Sequence, residues 1–147
     1  MSKILVPLDS TPAAPQVVAA ALEFARQHRG ELVLLRAIGI PTELPMEAYA
    51  MAPDNVAGLL EKSARAELAK VQSTLPADVP AAVRVEFGAA WQVICDVAKA
   101  EDVELVVMGA HNHRFLDGML GTTASRVVNH CDRSVLIVRR PAPASVP

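Results

Sequence analysis

Aromatic residues make up only 3% of this sequence, and its 147 residues include just two cysteines. The chain is nevertheless 52% hydrophobic, much of it Ala and Val, a composition that suits helices packed closely on a sheet. The two cysteines, Cys95 and Cys131, occupy apolar positions of predicted helices and form no Cys-x-x-Cys motif. We therefore expect two reduced, buried thiols and no redox pair.

Long apolar runs, runs of basic residues and a large net charge are also missing. The formal net charge is −2, and no basic stripe with interleaved aromatic residues is present, which argues against a nucleic-acid partner. No apolar run approaches the roughly 20 residues that a membrane span needs. The apolar segment before Pro7 is too short for a signal-peptide core. These absences predict a cytoplasmic protein that binds neither membrane nor nucleic acid.

The standard phosphate and nucleophile motifs are absent as well. The chain contains no Gly-x-x-x-x-Gly-Lys-Ser/Thr loop, no Gly-x-Gly-x-x-Gly fingerprint and no Gly-x-Ser-x-Gly elbow. Flavin and NAD are therefore not expected. No general base is placed opposite a nucleophile, so we predict no catalytic residues and, at most, slow ATP hydrolysis.

Short apolar runs alternate with amphipathic segments along the chain. Each run has the length of a buried strand, and each amphipathic segment repeats apolar residues at helical spacing. The predicted strands are Lys3–Leu8, Glu31–Ile38, Ala82–Phe87, Val103–Met108 and Ser134–Arg139. The β-α-β-α-β-α-β-α-β pattern predicts an α/β fold, with a parallel sheet covered by helices on both faces.

Two glycines near the C-terminus outline a candidate phosphate site. Gly109 ends an apolar run, and Gly121 precedes the last predicted helix. A glycine allows close approach of a ligand, and a helix start presents unpaired N–H groups with partial positive charge. Asp9, Ala37 and Gly109 each follow or end a predicted strand, so we expect them to share the carboxyl rim of the sheet, where ligands bind in such folds.

The order of these motifs resembles the universal stress protein family over nearly the whole chain. The resemblance rests on five segments in this order: Ile4 to Ser10, Leu32 to Leu35, Leu105 to His111, Gly121 to Val127, and Ser134 to Val138. It implies a five-stranded sheet of order 3-2-1-4-5, flavodoxin-like and similar to the adenine nucleotide alpha hydrolases. It also implies one domain over residues 1–140, followed by a disordered tail over residues 141–147.

The resemblance further implies an ATP or ADP site, with or without Mg, in a homodimeric stress-response signalling protein. The implied nucleotide-binding residues are Pro7, Leu8, Asp9, Ala37, Gly109, His111, Asn112, Gly121, Thr122 and Thr123. Pro7, Leu8 and Asp9 would line the adenine and ribose side, and Ala37 would pack on the base. Gly109 would lie against the ribose. Gly121, Thr122 and Thr123 would donate hydrogen bonds to phosphates.

The loop departs twice from the family's nucleotide motif, Gly-x-x-Gly, nine residues, then Gly-Ser/Thr. Asn112 stands at the second glycine, and only eight residues separate it from Gly121. Asparagine tolerates positive φ better than other non-glycine residues, at a cost of about 1 kcal/mol. Three functions stay open: a nucleotide-binding regulator, a nucleotide-free dimerisation or interaction module of the same fold, and a weak ATPase.

Simpler roles also remain for several of these residues. Asp9, Thr122 and Thr123 could serve only as helix caps. His111 lies near His113, but no carboxylate or cysteine has a convincing metal-ligand spacing, so no metal site is predicted. The last strand, Ser134 to Val138, is apolar and should form a sheet edge. An exposed apolar edge strand tends to pair with another chain unless it is covered. The resemblance implies that a second copy of this chain pairs here, and also that an unidentified regulatory protein binds the dimer.

Overall fold

The computed structural model describes residues 2–9, 13–39, 53–110 and 120–139. His111, Asn112 and the tail over residues 141–147 lie outside these ranges, so the predictions made for them stay predictions. The five strands and four helices alternate along the chain. In chain order they are β1 (Lys3–Pro7), α1 (Ala14–His28), β2 (Glu31–Ile38), α2 (Pro53–Thr74), β3 (Ala81–Phe87), α3 (Ala90–Ala100), β4 (Leu105–Gly109), α4 (Thr122–His130) and β5 (Ser134–Val138).

The strands form one parallel sheet of order β3-β2-β1-β4-β5, as expected. Strand β1 lies at the centre, and its three middle residues are fully buried. The predicted edge position of β5 is confirmed, and β3 forms the opposite edge. The alternation of Arg84 and Glu86 with apolar residues in β3 matches its edge position.

Two helices cover each face of the sheet. Successive strand side chains point to opposite faces, so a continuous apolar run supplies both layers of core. Ile4 and Leu34 pack in one core with residues of α1 and α2, whereas Leu5 and Leu35 pack in the other with residues of α3 and α4. This double cover explains why β1, β2 and β4 are almost uniformly apolar.

Apolar residues from Val56 to Leu75 recur at helical spacing and predict a buried stripe along α2, but this stripe is only partly buried. Ala64 and Leu68 reach the core, but Leu59 and Leu60 at the start of the helix are 55% and 37% exposed. The helical periodicity therefore overestimated the buried length of α2. Its second half packs on the sheet beside β3, and its first half presents apolar side chains at the surface.

From the sequence, Gly30 is the expected C-cap of α1, because glycine commonly ends helices, but the structure differs. Arg29 is the residue in the left-handed conformation, with φ of 51°, and its N–H bonds to the Ala25 carbonyl. Gly30 is required for space, since a Cβ there would lie 2.8 Å from the Ser2 carbonyl oxygen. That oxygen accepts the Glu31 N–H at 2.8 Å, which begins the pairing of β1 with β2.

Candidate functional site

A cleft of about 270 Å³ opens at the carboxyl ends of β1, β2 and β4. Strand β1 has β2 on one side and β4 on the other, so the strand order reverses direction at β1. The connections that follow β1 and β4 therefore run to opposite faces of the sheet and leave an opening between them. All eight described residues predicted from the sequence line this cleft: Pro7, Leu8, Asp9, Ala37, Gly109, Gly121, Thr122 and Thr123. The remaining two, His111 and Asn112, lie outside the described residues.

The floor of the cleft is apolar and preformed. Leu35, Ile94 and Met108 line it and are at least 95% buried in the core beneath α3 and α4. Val17 lines the opposite side from α1 and is also buried. Small residues form much of the wall, so a flat ring could lie against it without displacing side chains. The volume is close to the lower end of the range of about 300 to 1,000 Å³ for small-molecule sites.

Three of the described helices begin at the cleft, and in none of them does the N-cap residue supply a side-chain cap. The N-cap residues are Ala13 for α1, Ala89 for α3 and Gly121 for α4, and none makes a capping side-chain hydrogen bond. Each start contributes to the lining through Ala13 itself or through the residues following Ala89 and Gly121. Ser, Thr, Asp and Asn are the usual N-caps, because their side chains satisfy the free N–H groups of the first turn.

These helix starts correct the capping role considered for Asp9, Thr122 and Thr123. Helix α1 begins after Ala13, so Asp9 lies several residues before its cap position. In α4 the cap is Gly121, and Thr122 and Thr123 are its first two helical residues. The Gly121 N–H bonds to the Ala110 carbonyl at 3.3 Å, which holds the start of α4 against the end of β4.

Arg36 is a lining residue that sequence reasoning missed. Its Nε donates to the Leu8 carbonyl at 2.8 Å, and its Nη2 lies 2.9 Å from a Glu67 carboxylate oxygen. Its side chain is 17% exposed. A second, more open hollow of about 290 Å³ lies beside the cleft, and Arg36 and Ala37 line both. The sequence does not indicate that Arg36 lines the cleft, because its strand resembles an ordinary apolar run. Its contact with Glu67, 31 residues away, is visible only in the structure.

The charged groups of the cleft suit binding better than catalysis. Among the described lining residues, Asp9 and Arg36 are the only ionisable side chains, and Thr122 and Thr123 supply hydroxyls. In the described ranges, no three His, Cys, Asp or Glu side chains cluster in a way that could hold a metal ion. The same part of the chain contains no helix with the length and hydropathy of a membrane span. The cleft therefore offers an apolar floor, one carboxylate, one guanidinium and several helix starts.

Comparison with known proteins matches this chain to one family. The model of the universal stress protein family matches residues 1–139. Universal stress protein C of Escherichia coli O6:H1 is 26% identical over 139 residues, which are 93% of this chain and 94% of that protein. The structure of universal stress protein UspA from Lactobacillus plantarum superposes with a TM-score of 0.72 at 27% identity, covering 94% of this chain and 97% of that one.

A second similar structure contains a nucleotide. It is a universal stress protein in complex with cAMP, with a TM-score of 0.65 and 20% identity over 93% of this chain and 96% of that one. At this identity the likeness concerns the fold.

Proposed function

This chain belongs to the universal stress protein family, and from that membership we propose that it is a stress-response regulator that binds ATP or ADP in the cleft. The proposal has a nucleoside part and a phosphate part. The apolar floor and small wall residues would hold the adenosine, and the helix starts would hold the phosphates. Mg²⁺ would enter with the nucleotide, because the described residues form no metal cluster of their own.

The observation that carries the proposal is the convergence of three helix starts without side-chain caps, at Ala13, Ala89 and Gly121. In each of these helices the N-cap residue supplies no side-chain acceptor to the backbone N–H groups of the first turn, which lie at the positive end of the helix dipole. An anion near one such end gains about 0.3 to 1 kcal/mol, and up to about 2 kcal/mol when partly buried. A triphosphate or diphosphate would supply the acceptors that the sequence omits.

The start of α4 is the preferred phosphate position. Gly121 is buried and adds no side chain, while the neighbouring Thr122 and Thr123 combine N–H groups with hydroxyl donors. Gly109 lies across from them at the end of β4 and leaves room for a ribose. Asp9 would accept a hydrogen bond from a ribose hydroxyl or the base amino group, and Ala37 would pack on the base.

Arg36 extends this assignment. Its guanidinium is held between the Leu8 carbonyl and Glu67, so its position at the edge of the cleft is restrained before any ligand arrives. A restrained cation at this place would orient the base and the Pro7–Asp9 segment, because moving it would break both contacts. The cAMP complex of a protein with this fold supports an adenine nucleotide as the ligand class.

The altered loop supports a second candidate, a nucleotide-free interaction module. Asn112 and the eight-residue spacing before Gly121 depart from the family's nucleotide motif. The two candidates differ in one measurable quantity, the stability gained from nucleotide. A ligand at 100 times its Kd raises the free energy of unfolding by about 2.7 kcal/mol, whereas the module would gain nothing.

Calorimetric titration with Mg-ATP, ADP and cAMP, together with thermal unfolding, tests the proposal. Ala37→Leu should weaken nucleotide binding at least about tenfold by filling the base position, equivalent to about 1.4 kcal/mol. Ala69→Leu makes the same chemical change on the exposed surface of α2 and should bind like the parent. Absence of heat and of thermal stabilisation at millimolar nucleotide would favour the interaction module.

We also propose a homodimer formed through β5. This strand pairs only with β4 among the described strands, and Leu136 on it is 41% exposed. A second copy pairing there would satisfy the free edge and cover Leu136. Sedimentation analysis should show a dimer for the parent and a monomer for Leu136→Glu. Leu59→Glu, a matched change at an exposed leucine of α2, should remain dimeric.

A further inference from the structure

An arginine of α4 contacts the only tryptophan of the chain, which lies at the start of α3. The Arg126 guanidinium carbon lies 5.8 Å from the centroid of the Trp91 ring, within the distance of a cation–π contact. The Trp91 ring also lies 5.0 Å from the His130 ring, centroid to centroid. Farther along these helices, Cys95 and Cys131 are free and half-buried, whereas the sequence predicts fully buried thiols. The contact with Trp91 restrains the Arg126 side chain beside α3.

Both partners of this contact lie close to residues that line the cleft. Trp91 directly follows Ala90, a lining residue at the first position of α3. Arg126 comes four residues after Thr122, the first residue of α4, so it lies on the same helix face about 6 Å farther along the axis. Helical side chains lean toward the N-terminus, so Arg126 covers the turn that begins at Thr122. The guanidinium is therefore held beside two helix starts that line the cleft.

The charge of Arg126 is not offset by an ion pair in the part of the chain that the structure describes. Within the cleft the ionisable described residues are Asp9 and Arg36, and Arg36 is paired with Glu67 at 2.9 Å. A diphosphate or triphosphate carries several negative charges, and the partial charges of helix starts balance only part of them. Arg126 offers a full positive charge near the start of α4, the preferred phosphate position.

We propose that Arg126 contacts the outer phosphates of the bound nucleotide and gives the cleft a preference for ATP and ADP over AMP, cAMP and adenosine. The inference rests on the function proposed above, because it takes phosphates at the start of α4 as given. A guanidinium suits this contact, since it donates two parallel hydrogen bonds to phosphate oxygens. Adenosine has no phosphate, and AMP and cAMP have a single one next to the ribose, so none of them extends to Arg126.

Trp91 is a positioning residue in this arrangement. Its ring touches the guanidinium and not the nucleotide, and it holds Arg126 near both helix starts before a ligand arrives. A side chain that is already restrained loses less conformational freedom when it binds a phosphate. Trp91 should therefore act on affinity only through Arg126.

Calorimetric titration of the full chain with adenosine, cAMP, ADP and Mg-ATP measures the preference. Arg126→Gln removes the charge and should weaken the binding of ATP and ADP at least about fivefold. Its affinity for adenosine and cAMP should stay within about twofold of the parent value. Arg65→Gln makes the same change at an exposed arginine of α2 that does not line the cleft, and it should bind every ligand like the parent. Added salt should shrink the effect of Arg126→Gln, because ions screen the attraction.

Substitutions of Trp91 test its positioning role through the ratio of ATP affinity to adenosine affinity. Trp91→Phe keeps an aromatic face and should retain the parent ratio, whereas Trp91→Leu should lower it. Added to Arg126→Gln, Trp91→Leu should lower the ratio no further, because the arginine through which it acts is gone. A loss of fold would weaken both ligands and leave the ratio unchanged. A further fall of the ratio in the double variant would overturn the role of Trp91.

Two results would overturn the role of Arg126 while leaving the proposed function intact. An Arg126→Gln protein with the parent ratio of ATP to adenosine affinity would mean that the outer phosphates do not reach this side chain. Equal weakening of ATP and adenosine would mean that Arg126 supports the shape of the cleft and not the phosphates. In both cases the parent binds nucleotide. A parent that binds neither ATP nor adenosine would overturn the proposed function and this inference together.

Discussion

Replacing Gly30 by alanine should destabilise the protein at the first contact between β1 and β2. The added Cβ would lie 2.8 Å from the Ser2 carbonyl oxygen and 3.2 Å from Cδ1 of Ile4. The Ile4 side chain can give way by a few tenths of an ångström. The Ser2 oxygen is less free, because it is a backbone atom that accepts the Glu31 N–H at 2.8 Å. Overpacking of this kind costs about 1 to 3 kcal/mol.

Gly58→Ala is the matched control with the opposite sign. Gly58 is exposed within α2, and a Cβ there would meet no heavy atom within 4 Å. Alanine in a helix interior is favoured over glycine by about 0.5 to 1 kcal/mol. The two substitutions make the same chemical change, so the difference between them isolates the space around Gly30.

Thermal and urea unfolding measure both effects. A change of 1 kcal/mol shifts the Tm of a domain of about 150 residues by about 2 to 4 °C. Gly30→Ala should therefore lower the Tm by about 3 to 10 °C, and Gly58→Ala should raise it by about 1 to 4 °C. A Gly30→Ala protein as stable as the parent would refute the close approach of Gly30 to Ser2. Both variants should keep nucleotide affinity, because neither residue lines the cleft.

Three further results are expected. Hydrogen bonds from Lys3 and Arg84 lower the pKa of the Glu101 carboxyl below its usual 4.5. The carboxylate should therefore stabilise the fold above that pH, and this stabilisation should be lost as the pH falls through the lower pKa of the folded state. Comparing the acid unfolding of Glu101→Gln with that of the parent measures this contribution. The Cys95 pKa is raised from 9.0 to about 11, so the free energy of unfolding should fall between those pH values, by at most about 1.4 kcal/mol per pH unit, as urea titrations can measure. Asn112→Gly should tighten nucleotide binding by restoring the family's second glycine, as calorimetry can measure.

Each of these has a contradicting result. A Glu101→Gln protein with the parent's acid-unfolding profile would mean that the bonds to Lys3 and Arg84 contribute nothing to stability. An alkaline loss of stability that persists in Cys95→Ser would arise from other groups. An unchanged or weaker affinity in Asn112→Gly would mean that the asparagine already suits the loop.

The strands of the sheet and its edges could be predicted because the amino-acid composition of a strand reflects how far its two faces are buried. A central parallel strand is covered on both faces, so Ile4, Leu5 and Val6 must all be apolar, and the run is visible without any structure. An edge strand is less covered by neighbouring elements, which is why β3 can contain the charged residues Arg84 and Glu86. The strand order came from the family resemblance instead, since local patterns carry no information on which strands are neighbours.

Contacts between distant parts of the chain could not be predicted. Arg36 lies in an apolar strand, and the sequence alone would predict a solvent-exposed side chain. The structure shows instead that it contacts the Leu8 carbonyl and Glu67. The exposure of the first half of α2 was missed for a related reason: periodicity shows that one side of a helix is apolar, but it does not show how far the sheet extends beneath it.

The missing caps around the cleft lead to a last prediction, in which stability and binding change in opposite directions. Ala89 is exposed and has the extended conformation typical of an N-cap, with φ of −64° and ψ of 130°. Ala89→Asp and Ala89→Asn should each cap α3 and raise the free energy of unfolding by about 0.5 to 2 kcal/mol. The aspartate also places a negative charge beside Ala90 in the cleft wall, so it should weaken ATP binding more than the neutral asparagine does. The difference should shrink at high salt, because added ions screen the repulsion. If both variants bind ATP as the parent does, the start of α3 takes no part in holding the phosphates, and the anion site would then depend on α1 and α4.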